Sequence, residues 1–490
     1  MSRTYRKIFS LLSLPALALL AGCSTNPATG DQNFTAFMSE SQEIKIGQQE
    51  HPKILKTHNG VYEDAALLRY VNRVGNLLAS HSELPELKFH FTVLNDDIVN
   101  AFALPGGYIY ISRGLLSLAE NEAEVAGVLA HEIGHVTARH TAQRYSQAMA
   151  TNFGLAVLGA VVGSQAVSQV AGLGAQAWLQ SYSRGHEMEA DQLAVRYMAR
   201  AGYSPKGMAT FFKKLEQQKK LQSLMAGKSG KEEYGLMSTH PRTSDRINQA
   251  IKLAESKGAI PGARLGRNDY LNIVDGMIYG DDPKQGIRKG RDFIHPDLNF
   301  KFTVPPKFNL FNGSSQVLAR GPDQSVIIFD RADPKLDLRD TPMTVYIRDF
   351  WVPRLKIAGP ERLEVNGMEA ATATATINAD GGKRNVRLVA LRHPNAVYRF
   401  AFLTPPKVTS VFDTEFRRTT YSFNTLTDRE RRSAQPLRIG IIKVGKNDTP
   451  QSLSRTLPFE ERKLEWFELI NKNLSHRDLQ SGDRVKVIVH

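Results

Sequence analysis

Two histidines four residues apart, His131 and His135, constrain this chain before any other feature does. In an α-helix residues i and i+4 project from one face, so the two can hold one ion between them. The surrounding run GVLAHEIGHVTARH, residues 127–140, suits such a helix. Asn121 precedes it as an N-cap with Glu124 as the capping-box acid, and Gly127, Ala130 and Gly134 leave room for close packing. Glu132 lies between the histidines and completes H-E-x-x-H. In that arrangement neutral imidazoles hold Zn²⁺, the metal acidifies a water towards a pKa of about 7, and the glutamate takes its proton. His140 follows His131 by a rotation of about 900°, which predicts the opposite face and a surface position.

Two histidines leave a catalytic zinc site one protein ligand short. The acid-rich run SRGHEMEADQLAVRYMARAGY, residues 183–203, offers Glu187 and Asp191 on one helix face, with Glu189 turned about 200° away from Glu187. One of those two carboxylates can bind metal while the other orients a ligand histidine.

With 490 residues the chain exceeds one ordinary core, and two or three domains are expected. Arg3, Arg6 and Lys7 precede an apolar run from Ile8 to Leu20, the layout of a secretory signal over residues 1–22. The run is too short to span a bilayer and ends in Leu20-Ala21-Gly22-Cys23, which resembles the box at which bacterial lipoproteins are lipidated on cysteine and cleaved. Cys23 is the one cysteine of the chain, so no internal disulfide competes for it. Ser24 behind it resembles the sorting signal for the inner leaflet of the outer membrane. The formal charge of +14 falls to +11 once the leader takes its three basic residues with it, which favours anionic envelope surfaces; nothing resembles a nucleic-acid module.

Residues 23–40 read as a tether, 41–260 as a mainly helical domain with a small sheet, and 265–430 as a β-rich α+β domain. Phe89, Phe91 and Val93 alternate as a strand does, and NAFALPGGYIYISRGLL, residues 100–116, reads as strand, turn, strand. In the β-rich region His295 and His393 each adjoin Pro and are expected in loops. The apolar stretch Phe153–Trp178 is interrupted by Ser164, Gln165, Ser168, Gln169 and Gln176, and is expected as a lid or packed hairpin rather than a membrane span. Residues 436–490 run strand, helix, helix, strand; with Asp448-Thr449, Leu453, Ile470-Asn471 and Leu479–Val485 they resemble the LysM module, which binds N-acetylglucosamine polymers such as peptidoglycan.

Four separated stretches, NAFALPGGYIYISRGLL, NEAEVAGVLAHEIGH, SRGHEMEAD and STHP (Ser238–Pro241), occur in the order found in the HtpX-like and Ste-type zinc endopeptidases and resemble their exported bacterial members. The resemblance covers about residues 40–255 and implies a zincin-type fold with one Zn²⁺ held by His131, His135 and Glu187. It further implies Glu132 as general base and acid, Asp191 as support for a ligand, and the strand Asn100-Ala101-Phe102 as a binder of substrate backbone by β-addition. His240 is implied near the zinc, where it stabilises an oxyanion or swings in as a fourth ligand.

The expectation is therefore an α+β multidomain chain whose zinc endopeptidase domain is lipid-anchored in the periplasm. Its substrates are misfolded or stalled envelope proteins, and peptidoglycan is a partner through the tail. Two readings compete: a gated chaperone-like or scaffolding lipoprotein, and a hydrolase acting on peptidoglycan.

Overall fold

A short hairpin opens the described chain: β1 (Cys23–Thr25) pairs antiparallel with β2 (Gln32–Phe34), and α1 (Glu40–Thr57) follows. The computed structural model describes residues 23–162, 181–226, 236, 240, 246, 249, 252–253, 256, 262–379, 382–394, 396–472 and 479–490. The leader, most of Phe153–Trp178, Asp380-Gly381, and Ser238, Thr239 and Pro241 lie outside them. Among the described residues no helix is long and apolar enough to cross a membrane.

Asp64 starts α2 (Ala65–Ala79) by accepting the Ala66 and Leu67 amides, each at 3.0 Å. Leu67, Val71, Val74 and Leu78 recur at helical spacing and are buried. A three-stranded sheet comes next, with β5 (Tyr108–Ser112) central, parallel to β3 (His90–Leu94) and antiparallel to β4 (Ala101–Leu104). The β4–β5 turn needs Gly106, at φ +76°, because a Cβ there would stand 2.6 Å from Ile44 Cα. α3 (Arg113–Leu118), α4 (Glu122–Thr137) and α5 (His140–Val162) follow, then α6 (Arg184–Arg200), α7 (Lys206–Ala226) and α8 (Arg267–Val274). Every residue of α4 except Val136 is buried, so the helix that carries the histidine pair forms the middle of the core.

The chain divides into two units: Met1–Lys56, Gly60–Met277 and Arg438–Val489 form one, and Ile278–Leu437 makes up nearly all of the other. The second unit holds a seven-stranded antiparallel sheet. Its long hairpin, β6 (Met368–Ala379) with β7 (Gly382–His393), leads into β8 (Ala396–Thr404). Phenylalanines 293, 300, 302, 329, 400, 402, 412, 416 and 423 dominate its core. His295 and His393 end strands and are buried rather than placed in loops, because each ring packs against this aromatic cluster. Burial pushes the His295 imidazole down to about 4.

The tail forms β9 (Leu437–Lys443), α9 (Pro450–Ser454), α10 (Lys463–Ile470) and β10 (Arg484–Val489), with β9 and β10 antiparallel. Sequence reading sets residues 436–490 apart as a module, whereas the structure builds 438–489 into the first unit. The physical reason is a buried lysine. Lys486 Nζ donates to the carbonyls of Ser117 (2.7 Å) and Ala119 (2.6 Å) where α3 ends. Arg484 reaches Asn272 Oδ1 of α8 at 2.7 Å.

Candidate metal centre

The site is built on α4, whose start is fixed as the sequence suggests: Asn121 Oδ1 accepts the Glu124 amide at 2.9 Å. The Glu124 carboxylate reaches back to the amide of Glu120 (2.7 Å), one residue before the cap. Buried Lys214 from α7 meets both carboxylates, at 2.8 Å from Glu120 and 3.0 Å from Glu124.

About two turns further on, His131 and His135 bring their Nε2 atoms within 3.1 Å of each other. α6 begins at the N-cap Ser183 and presents Glu187, whose carboxylate lies 3.6 Å from His131 Nε2 and 3.4 Å from His135 Nε2. His240 joins them, with Nδ1 2.8 Å from Glu187 and 3.3 Å from His131 Nε2. All four residues are buried, and their donor atoms lie within 4.8 Å of one another. Zinc bonds of about 2.0–2.2 Å in a tetrahedron require donor-to-donor edges of roughly 3.3–3.6 Å. Three imidazoles and one carboxylate at these spacings fit a zinc ion.

Burial holds the His135 imidazole well below its ordinary value, in the neutral form that a ligand needs. At Glu187 burial opposes ionisation, but His240 and His135 outweigh it and keep the carboxyl well below the usual carboxylate range. Glu132 is buried beside the donors, its Oε1 3.6 Å from His240 Nε2. Asp191 Oδ1 lies 3.0 Å from His131 Nδ1, the nitrogen turned away from the cluster.

Sequence reading misses Arg246. This buried guanidinium holds Asp191 at 2.9 Å through both Nε and Nη2 and reaches Glu187 with Nη1 at 2.5 Å. No spacing rule ties it to the two histidines. The surface expectation for His140 is corrected. α4 ends at Thr137 and Arg139 turns left-handed at φ +56°, so the helical rotation does not carry through. His140 starts α5 fully buried, its Nδ1 2.8 Å from His135 Nδ1. Glu189, turned away from Glu187, comes within 3.3 Å of His140 Nε2, and Tyr182 stacks on the His135 ring with centroids 3.9 Å apart.

Asn100, Ala101 and Phe102 stand at the β4 side of the sheet, where Ala101 and Phe102 pair with Ile111 and Tyr110. β4 is an edge strand in the order β3-β5-β4. Asn100 Oδ1 is buried without a hydrogen-bond partner among the described residues. Leu236 donates its amide to Val99 O at 3.0 Å, so the segment that carries His240 touches the start of this edge. Cys23 is exposed.

An interior helix bearing H-E-x-x-H, a carboxylate from a following helix and a small sheet beside them define a metallopeptidase domain of the zincin class. Residues 66–254 match the model of Peptidase family M48, a family of zinc-dependent peptidases. The chain is 32% identical over 267 residues to the beta-barrel assembly-enhancing protease of Yersinia pestis, covering 53% of this chain and 51% of that one. The protein of the same name from Escherichia coli K12 is 30% identical over 223 residues, 44% of each chain. The mitochondrial metalloendopeptidase OMA1 of Arabidopsis thaliana is 34% identical over 170 residues, covering 34% of this chain and 32% of that one. The chain thus spans about half the length of the first two relatives.

Proposed function

We propose that this chain is a zinc-dependent endopeptidase of the cell envelope. The observation that carries the reading is the buried set His131, His135, Glu187 and His240 with Glu132 beside it. Zinc in this set would supply Lewis acidity and a water of lowered pKa. Glu132 accepts the proton of the attacking water and returns it to the leaving amine. Asp191, itself gripped by Arg246, holds the His131 ring by its Nδ1–H, which leaves Nε2 bare. β4 takes extended substrate backbone alongside Asn100, Ala101 and Phe102, which suits a protease acting on varied sequences.

His240 is assigned as the gate. Catalytic zinc sites keep one position open, and three imidazoles plus a carboxylate fill all four. With His240 Nδ1 against Glu187 and the Leu236 amide on Val99, the arrangement corresponds to a resting state. His240→Ala is expected to raise cleavage of an unfolded test protein; a fall would reassign His240 to oxyanion stabilisation. This is also the observation that favours the gated, scaffolding-type reading.

Localisation and substrate belong to the same proposal: lipidation at Cys23, a periplasmic position on the inner leaflet of the outer membrane, and misfolded or stalled envelope proteins as substrates. The names of the relatives and the lipobox-like leader support it. The β-α-α-β order of the tail supports contact with peptidoglycan. The deciding experiment digests an unfolded protein with the parent chain and with Glu132→Gln, quantifying zinc in both. Cleavage by the parent alone at equal zinc content supports the assignment; no cleavage by the parent or by the ungated His240→Ala variant sinks it, and release of soluble muropeptides from sacculi would favour a peptidoglycan hydrolase.

A further inference from the structure

The two ligand histidines of α4 are oriented from opposite sides, and by different parts of the chain. His131 meets the Asp191 carboxylate directly. His135 meets no carboxylate through its outer nitrogen; its Nδ1 lies 2.8 Å from His140 Nδ1.

The proton positions along this second route follow from the metal site, on whose reading the inference rests. His135 turns Nε2 towards the donor cluster, so Nε2 must be bare and Nδ1 must carry the hydrogen. A hydrogen bond from that Nδ1–H requires the facing nitrogen, His140 Nδ1, to be bare in turn. The His140 hydrogen then sits on Nε2, which faces Glu189 Oε2 at 3.3 Å. Glu189 offers its other oxygen to Asn26 Nδ2, which donates at 2.6 Å. His186 stacks on His140, with centroids 4.4 Å apart and planes inclined by 16°, and fixes the ring plane.

Asn26 is no chance contact. It is 2% exposed, its amide donates to Asp31 O at 2.7 Å, and its Oδ1 accepts the Ala28 amide at 2.9 Å, so its side chain has one orientation. The same N-terminal segment grips the α4–α5 junction. Arg139 donates to Ser24 Oγ (3.1 Å), Met38 O (2.9 Å) and Glu43 Oε2 (3.0 Å), and Ser146 Oγ accepts the Phe37 amide at 3.2 Å.

We propose that Asn26, Glu189 and His140 are positioning residues that hold His135 in its metal-binding tautomer, making the segment just after Cys23 a working part of the metal centre rather than a passive tether. A ligand histidine held through such partners typically loses about 10–100-fold in metal affinity when they are removed. Asn26 acts two contacts away and should matter less than His140.

The test uses the full chain and its His140→Ala, Glu189→Gln and Asn26→Ala variants. Zinc dissociation constants come from competition with a chromophoric chelator, and the visible spectrum of the cobalt-substituted protein reports ligand geometry. Melting of the zinc-free forms shows whether each variant folds. The expected result is weaker zinc binding by about 10–100-fold in His140→Ala and a smaller weakening in Asn26→Ala, each with an altered cobalt spectrum and a melting temperature near the parent's. Should His140→Ala fail to fold, Glu189→Gln and Asn26→Ala decide by the same readouts. Folded variants that match the parent in zinc affinity and cobalt spectrum overturn the relay and leave the peptidase reading intact. A parent chain that binds no zinc removes the peptidase reading and this proposal together.

Discussion

At Glu132 the structure places a buried carboxylate beside the donor cluster and outside the set of donor residues, so its loss should separate chemistry from metal binding. Glu132→Gln is expected to keep zinc within twofold of the parent while cleavage falls by about 10²–10⁴-fold, the usual contribution of a general base. Arg246→Ala should behave in the opposite way. It leaves Asp191 and Glu187 without the guanidinium that spans them, so zinc affinity should fall by about 10–100-fold, read by chelator competition. The legible part of the site was the part written within one regular helix: His131, Glu132 and His135 on α4, and the pairing of Glu187 with Asp191 on α6. Arg246, His140 and Glu189 were not legible. The roles of His140 and Glu189 depend on where α4 stops, at a left-handed arginine with neither Gly nor Pro to announce it, and Arg246 lies too far along the chain for any spacing rule to reach.

For the element that carries this chemistry, packing and capping act at different points. Gly127 faces α7 so closely that an added Cβ would lie 2.8 Å from Met208 Cβ. Gly127→Ala should therefore cost about 1–3 kcal/mol in urea unfolding as helix and neighbour are forced apart. In the first turn Glu122 accepts from Arg73 at 2.6 Å and from the Tyr203 hydroxyl at 2.7 Å. Burial raises its affinity for a proton, but these partners outweigh burial and hold its carboxyl below the ordinary value of 4.5. A lowered acid stabilises the fold above its unfolded-state pKa, and that contribution disappears as pH falls below about 4.5. Glu122→Gln is expected to reduce stability at pH 7 by about 1–3 kcal/mol and to flatten the loss on acidification, as followed by thermal melts across pH 3–7. Sequence periodicity reached these elements well, since α2, β3 and the β4–β5 hairpin follow patterns of 3.6 and 2.

For the whole molecule, periodicity separates a helical region from a β-rich one but does not tell which pieces share a core. Residues 436–490 read as a self-contained β-α-α-β unit because all four elements are local. Their membership of the first unit is carried by long-range contacts of Lys486 and Arg484, which no local pattern encodes. Burial and the nearby Lys214 push the Lys486 amine down to about 7, a cost that a free-standing module would have no reason to bear. Lys486→Met removes the donor for the Ser117 and Ala119 carbonyls, at about 1–3 kcal/mol for each left unpaired. A lower melting temperature of the first unit and faster zinc loss on heating are expected; an unchanged melt would show the tail to be independent. These carbonyls lie directly before Glu120, at the root of the helix that presents His131 and His135. A nascent chain exposes that helix long before the strand that completes its surroundings has been made. On the export route proposed above, with the N-terminus threaded first, the metal centre lacks this supporting piece until the tail arrives.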